Sequence, residues 1–195
     1  MTKLILSASA AALFVLPTLA SAQALPAPVI AVVDLQRASS QCNACKTALT
    51  QLESQVASFR TLQTSLEASV RTEGAALQTA VNALAGRQPD AALNTRIQAF
   101  ERKQADAQRQ LTARDQTFQR NRAHVLQQIG AKIDPILTSV LAQRRATVML
   151  DVSNVIRSAP SIDVTADVIA GLNASLTTVS TTAPAQAQQP APAGR

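Results

Sequence analysis

"LTQLESQVASFRTLQTSLEASVRTEGAALQTAVNAL", residues 49–84, steps its apolar residues by three and four: Leu49, Leu52, Val56, Phe59, then Leu66, Val70, Leu77 and Leu84. Gln63, Glu73 and Ala80 fall on the remaining positions of the same seam. The period is 3.5, which predicts a helix whose seam meets another helix along its length. At 1.5 Å per residue, a helix from about 40 to 85 extends roughly 70 Å. That length far exceeds what a single-domain core buries. The stretch reads as an arm.

Downstream, "GRQPD" (86–90) is a break: Gly86 can end one helix, and Pro89 with Asp90 suits the first turn of the next. A second apolar stripe then returns through Leu93, Ile97, Phe100, Leu111, Phe118, Val125 and Ile129. Two long helices joined by a short turn predict an antiparallel helical hairpin, here over 39–145. Its seam is imperfect. Gln104, Arg114 and Asn121 occupy seam positions, Gly74 weakens the outbound helix, and Gly130 with Pro135 is expected to bend the return helix.

The hairpin brings the chain back to where it began. "VIAVVDL" (29–35) is a β-branched run of strand length, and "ATVMLDVS" (146–153) is a second. Ser39 and Ser40 are placed to cap the outbound helix. "VTADVIAGLN" (164–173) predicts a short helix capped by Thr165 and ended by Gly171. The expected fold is mainly α with a small β body: a long coiled-coil hairpin projecting from a small β-sheet base built of 23–38 and 146–179. Residues 180–195 are Pro-, Ala- and Gln-rich and too poor in apolar surface to fold, so a disordered tail is expected.

At the other end, Met1-Thr2-Lys3, an apolar run to Leu19 and Ala20-Ser21-Ala22 read as a cleavable export signal over 1–22. The run is short and contains Pro17, which favours cleavage over a membrane anchor. An exported, periplasmic protein beginning at Gln23 is expected. Removing Lys3 with the signal lowers the formal charge from +6 to +5. The remainder has no Trp or Tyr and three Phe (Phe59, Phe100 and Phe118). So few aromatic residues suit thin helical seams rather than a compact globule. They also argue against nucleic acid, whose single strands need aromatic stacking platforms.

The charge is uneven. Residues 46–86 carry three basic and three acidic side chains, whereas 87–145 carry eleven basic and five acidic. At 100° per residue, Arg102, Arg109 and Arg120 fall within roughly 20° of one another, opposite the apolar stripe. Arg96, Lys103 and Arg114 form a second row that flanks it, and Arg122 adds to the basic arm. A charged helix face is commonly no more than solvated. Rows of one sign over several turns instead favour an anionic partner. Acidic polypeptides and the phosphates of lipopolysaccharide, or an anionic membrane surface, both fit.

"QCNACK" (41–46) holds both cysteines, Cys42 and Cys45. On a helix start they share one face, one turn apart. A local disulfide or structural pair is the favoured reading in an oxidising compartment; redox chemistry and cross-chain pairing are the others. No βαβ pattern of a thioredoxin-like domain surrounds them. The following Lys46 is not the histidine of a haem attachment site, and zinc would need two more ligands. His124 is the single histidine and reads as structural. Asp34, Asp151 and Asp163 fall at strand ends and turns, where structural roles are the default. No Gly-rich phosphate loop is present, and no metal or cofactor is expected.

"IAVVDLQRA" (30–38), the heptad hairpin, "IDPILTSV" (133–140), "VMLDVSNVI" (148–156) and "PSIDVTADVIAGLN" (160–173) together resemble the Skp/OmpH-like periplasmic chaperones. The resemblance covers about 29–173. It implies a jellyfish-shaped homotrimer, with a trimerisation body made of the chain ends and three hairpins hanging around a cavity. It further implies a non-enzymatic holdase that keeps unfolded outer-membrane proteins soluble without ATP until insertion. The cysteine pair is not part of that family pattern. Two other readings stand beside it: a structural envelope coiled coil with no client, and a thiol oxidoreductase working through Cys42 and Cys45.

Overall fold

The structure is a computed structural model that describes residues 26–185. The expected export signal (1–22) and the last ten residues of the expected tail lie outside the described residues. The order of elements is β1 (Ile30–Val33), α1 (Leu35–Gln41), α2 (Asn43–Asn82), α3 (Ala91–Gln143), β2 (Val148–Asp151) and α4 (Thr165–Ser175). Two short 3₁₀ turns, Val152–Asn154 and Pro160–Ile162, lie between β2 and α4.

The arm is the predicted hairpin. Its helices have 40 and 53 residues, or about 60 and 80 Å at 1.5 Å per residue. The turn falls where expected, but α2 stops at Asn82, so Gly86 sits in the connection rather than ending the helix. Pro89 and Asp90 precede α3, which begins at Ala91. Gly86 sits at φ +88°, which glycine adopts without a Cβ penalty. Asp90 is the N-cap of α3, accepting a hydrogen bond from the Leu93 N–H at 2.8 Å. Between the helices, Leu52 and Leu77 are buried from α2, and Leu93, Ala107, Val125 and Ile129 from α3. The small residues matter. A Cβ on Gly74 would lie 3.1 Å from Phe100 Cζ, so the glycine that lowers helix propensity lets the return helix approach. Of the expected seam residues, Gln104 and Arg114 are exposed, and half-buried Lys103 with buried Ala107 takes the seam instead. Helix α3 runs through Pro135 to Gln143.

The base is a parallel pair, with Ile30 opposite Val148 and Val33 opposite Asp151. Parallel strands need a long crossover, and here the whole hairpin is that crossover. Two strands alone are marginal; α4 makes the base stable. Val33, Ala38, Cys42, Cys45, Ala48, Val140, Val168 and Leu172 form one core where α1, α4 and the roots of the arm meet. Fully burying a side chain such as Leu172 contributes about 1.5–3 kcal/mol.

Three local expectations are corrected. Helix begins at Leu35, not near residue 39, because Asp34 caps α1 by accepting from the Arg37 N–H at 2.7 Å. Ser39 and Ser40 lie inside α1, where their hydroxyls donate back to the Gln36 and Arg37 carbonyls. Thr165 does not cap α4; it is fully buried, and its hydroxyl donates to Asp163 while accepting from the Asp34 N–H. Gly171 does not end α4 either, which continues to Ser175. It is a contact glycine, packed on Ile136.

Candidate functional site

The three aspartates at strand ends are structural. Asp151 accepts from the Ser153 and Leu35 N–H groups, and Asp163 holds Thr165 and the Arg37 guanidinium, the latter at 3.1 Å. Hydrogen bonds from Thr165, with Arg37 nearby, hold the Asp163 carboxyl below the ordinary carboxylate range. Those from Ser153 do the same for Asp151. Together they pin the start of α1 to the returning strand and α4. Arg144 and Asp167 add a bidentate pair at 2.8 and 2.9 Å that ties α3 to α4 and raises the Arg144 pKa.

Cys42 and Cys45 are joined by a disulfide within the chain. Cys42 is non-helical and caps α2, its sulfur accepting from the Cys45 N–H at 3.1 Å. The neighbouring Asn43 N–H is taken by Asn173 Oδ1 at 2.8 Å. Both cysteines are 0% exposed. Thiol exchange needs a sulfur within reach of a second thiol. This pair has none, and it staples the α1–α2 corner. His124 is half-buried on α3. Among the described residues, no three of His, Cys, Asp and Glu gather as a metal ion would require.

The basic side chains divide into two groups. Lys103 Nζ pairs with Glu73 Oε2 of the outbound helix at 2.6 Å, Arg109 pairs with Asp106 on its own helix, and Arg120 donates to Thr117 Oγ1 at 3.0 Å. Lys103 and Arg109 are thus spent on carboxylates of the arm, whereas Arg120, bonded to a neutral hydroxyl, keeps its charge. Arg96, Arg102, Arg114 and Arg122 are exposed and make no ion pair among the described residues. They present guanidinium groups along about 40 Å of α3.

Near the root of the arm lies a groove that the residue pattern did not disclose. After α4 the chain turns and runs along the hairpin, so residues 180–185, expected to be disordered, lie against α2 and α3. Gln128 accepts from the Ser180 N–H at 3.0 Å and donates to the Ser180 carbonyl at 2.8 Å. Gln55 donates to the Thr181 carbonyl at 3.1 Å, and Asn121 accepts from the Ala183 N–H at 2.9 Å. Asn121 is buried and also donates to Gln55 Oε1 at 2.9 Å. Beside Thr182 opens a cavity of about 490 Å³, lined by Phe59, Leu62, Phe118 and Arg114 among others. The one sequence signal for it was Asn121, a polar residue on an apolar seam; nothing in the pattern of Gln51, Gln55 or Gln128 set them apart from other polar helix residues.

The family model described as outer membrane protein (OmpH-like) matches residues 29–172. No curated protein matches the chain. Among solved structures, the chain is similar to the crystal structure of a candidate outer membrane chaperone (OmpH-like) from Caulobacter crescentus CB15. That match has a TM-score of 0.68 and 19% identity, and covers 85% of this chain and 96% of the other. At that identity the likeness is one of fold.

Proposed function

The chain belongs to the OmpH-like outer membrane protein family, and on that premise we propose that it is a periplasmic, ATP-independent holdase. Its clients are unfolded outer-membrane proteins, which it keeps from aggregating before insertion. It works as a homotrimer, with three arms around the client.

The observation that carries the reading is a long arm with exposed arginines, rooted in a base whose sheet is unfinished. The outer edge of β2 has no strand partner among the described residues. Val148 and Leu150 on one face of β2, and Val152 just past its end, are each about 40% exposed, and Ile156 beyond them is fully exposed. Such an edge is a template for pairing with further chains. Exposed guanidinium groups draw acidic chains by long-range attraction, and weak, poorly specific contacts permit release. Lipopolysaccharide phosphates fit the same exposed guanidinium groups. A thiol oxidoreductase is disfavoured by the buried disulfide.

The test dilutes a urea-denatured β-barrel outer-membrane protein into low-salt buffer with the chain present. Light scattering should be suppressed at about one trimer per client, and native mass should report three copies. Scattering that matches the client alone would sink the holdase reading. A monomer that nonetheless suppresses it would sink the trimer alone.

A further inference from the structure

The groove at the root of the arm is built to hold extended backbone. Of the five hydrogen bonds between the hairpin amides and residues 180–183, four go to main-chain N–H or carbonyl groups. Only Thr181 Oγ1 to Gln51 Oε1, at 2.8 Å, involves a side chain of the bound segment. Gln128 satisfies both main-chain groups of Ser180, as a neighbouring β-strand would. Bonds of this kind do not read sequence, because every residue except proline offers the same donor and acceptor.

The segment fills the groove poorly. Ser180-Thr181-Thr182-Ala183 carries small side chains, yet the cavity beside Thr182 is walled by Phe59, Leu62 and Phe118 with Arg114 at its side. A larger apolar side chain would be received there, next to a cation suited to an acidic neighbour. A segment held mainly by its tether is at a high local concentration but is weakly bound for each residue.

Building on the holdase reading, we infer that this groove takes an extended segment of an unfolded client, and that residues 180–183 occupy it as a strap which the client displaces. Alternating apolar residues of a barrel strand suit it: main chain on the amide ladder, one apolar side chain in the cavity. The strap keeps the amides of Gln55, Asn121 and Gln128 paired while no client is bound, which limits self-association through an open groove.

Two measurements test this on the full chain. First, S180P/A183P removes the two N–H groups that the hairpin accepts and leaves the groove untouched. The free peptide LTTVSTTAPA, residues 176–185, titrated by amide chemical shifts, should bind this variant about three- to tenfold more tightly than wild type. Adding N121A/Q128A should abolish that gain. Equal binding to all three proteins overturns the groove. Second, hydrogen exchange at the wild-type Ser180 and Ala183 amides is followed while denatured barrel protein is added. Their protection should fall as the client saturates; protection kept with client bound overturns displacement. If wild type binds no barrel protein, the holdase reading falls, and the peptide titration still decides the groove.

Discussion

Gly171 of α4 lies directly on Ile136 of α3: a Cβ at residue 171 would come within 2.7 Å of Ile136 Cγ2. In an open helix, Gly→Ala stabilises by up to about 1 kcal/mol. Here the clashing atom belongs to a β-branched side chain with little freedom to turn away. The sign should therefore reverse. Gly171→Ala is expected to destabilise by about 1–3 kcal/mol, read as a lower urea midpoint at unchanged slope. Ile136→Ala in the same chain removes the clashing methyl, so the double variant should lose less than the sum of the two single ones. Simple additivity would show that the close approach is not what glycine serves.

The Cys42–Cys45 bridge closes a very short loop, so its effect on the unfolded chain is at most about 2 kcal/mol. Burial gives it a kinetic signature. With both sulfurs inside the base, millimolar dithiothreitol should leave the bridge intact under native conditions and reduce it once urea unfolds the base. C42A/C45A should lower stability by about 2–4 kcal/mol, from the lost constraint and the emptied volume, while client holding persists. Rapid native reduction, measured by thiol labelling and mass, would mean that the corner opens far more readily than its packing implies.

The arm was legible because one physical signal repeats along it: the 3.5-residue period of Leu52, Phe59, Leu66 and Leu77, closed by a turn that needs Gly86 and Asp90. The base was legible in kind, since two β-branched runs flank that arm. What escaped depends on partners distant in sequence. Asp34 outcompetes Ser39 as a cap because Thr165, 131 residues away, receives its N–H. Gly171 looks like a helix end until Ile136 is set against it. Residues 180–183 carry little apolar surface of their own and are held mainly by amides on the hairpin helices. The exposed arginines were visible as a one-sided charge, but not which were already paired, because Glu73 meets Lys103 only once the hairpin closes.

Acid should loosen the base before the arm. Hydrogen bonding, chiefly from Thr165 and from Ser153, holds the Asp163 and Asp151 carboxyls below the ordinary range. A carboxylate with a depressed folded-state pKa contributes stability that is present above its unfolded value, about pH 4, and is lost as pH falls through the folded value. Melting followed by circular dichroism should therefore drop steeply below about pH 4. Asp163→Asn should be less stable at neutral pH and converge on wild type near pH 2. A gap that stays constant with pH would deny the carboxylate its role in pinning Arg37 and Thr165.

The free and engaged cations of α3 should separate in kinetics. Arg96, Arg102, Arg114 and Arg122 keep their charge available, whereas Lys103 and Arg109 are paired with carboxylates of the arm. R96Q/R102Q/R114Q/R122Q should slow association with denatured barrel protein by about tenfold at low ionic strength. The difference should shrink to less than about twofold in 1 M salt, where the Debye length is near 3 Å. K103Q/R109Q removes half as much charge but should slow association by less than about twofold, against about threefold if charge counted alike wherever it lies. Its arm should melt earlier because the Glu73 bridge is gone. Stopped-flow fluorescence across a salt series distinguishes the two sets. Slowing by both in proportion to the charges removed would mean that net charge alone attracts the client, with no part played by where the arginines lie.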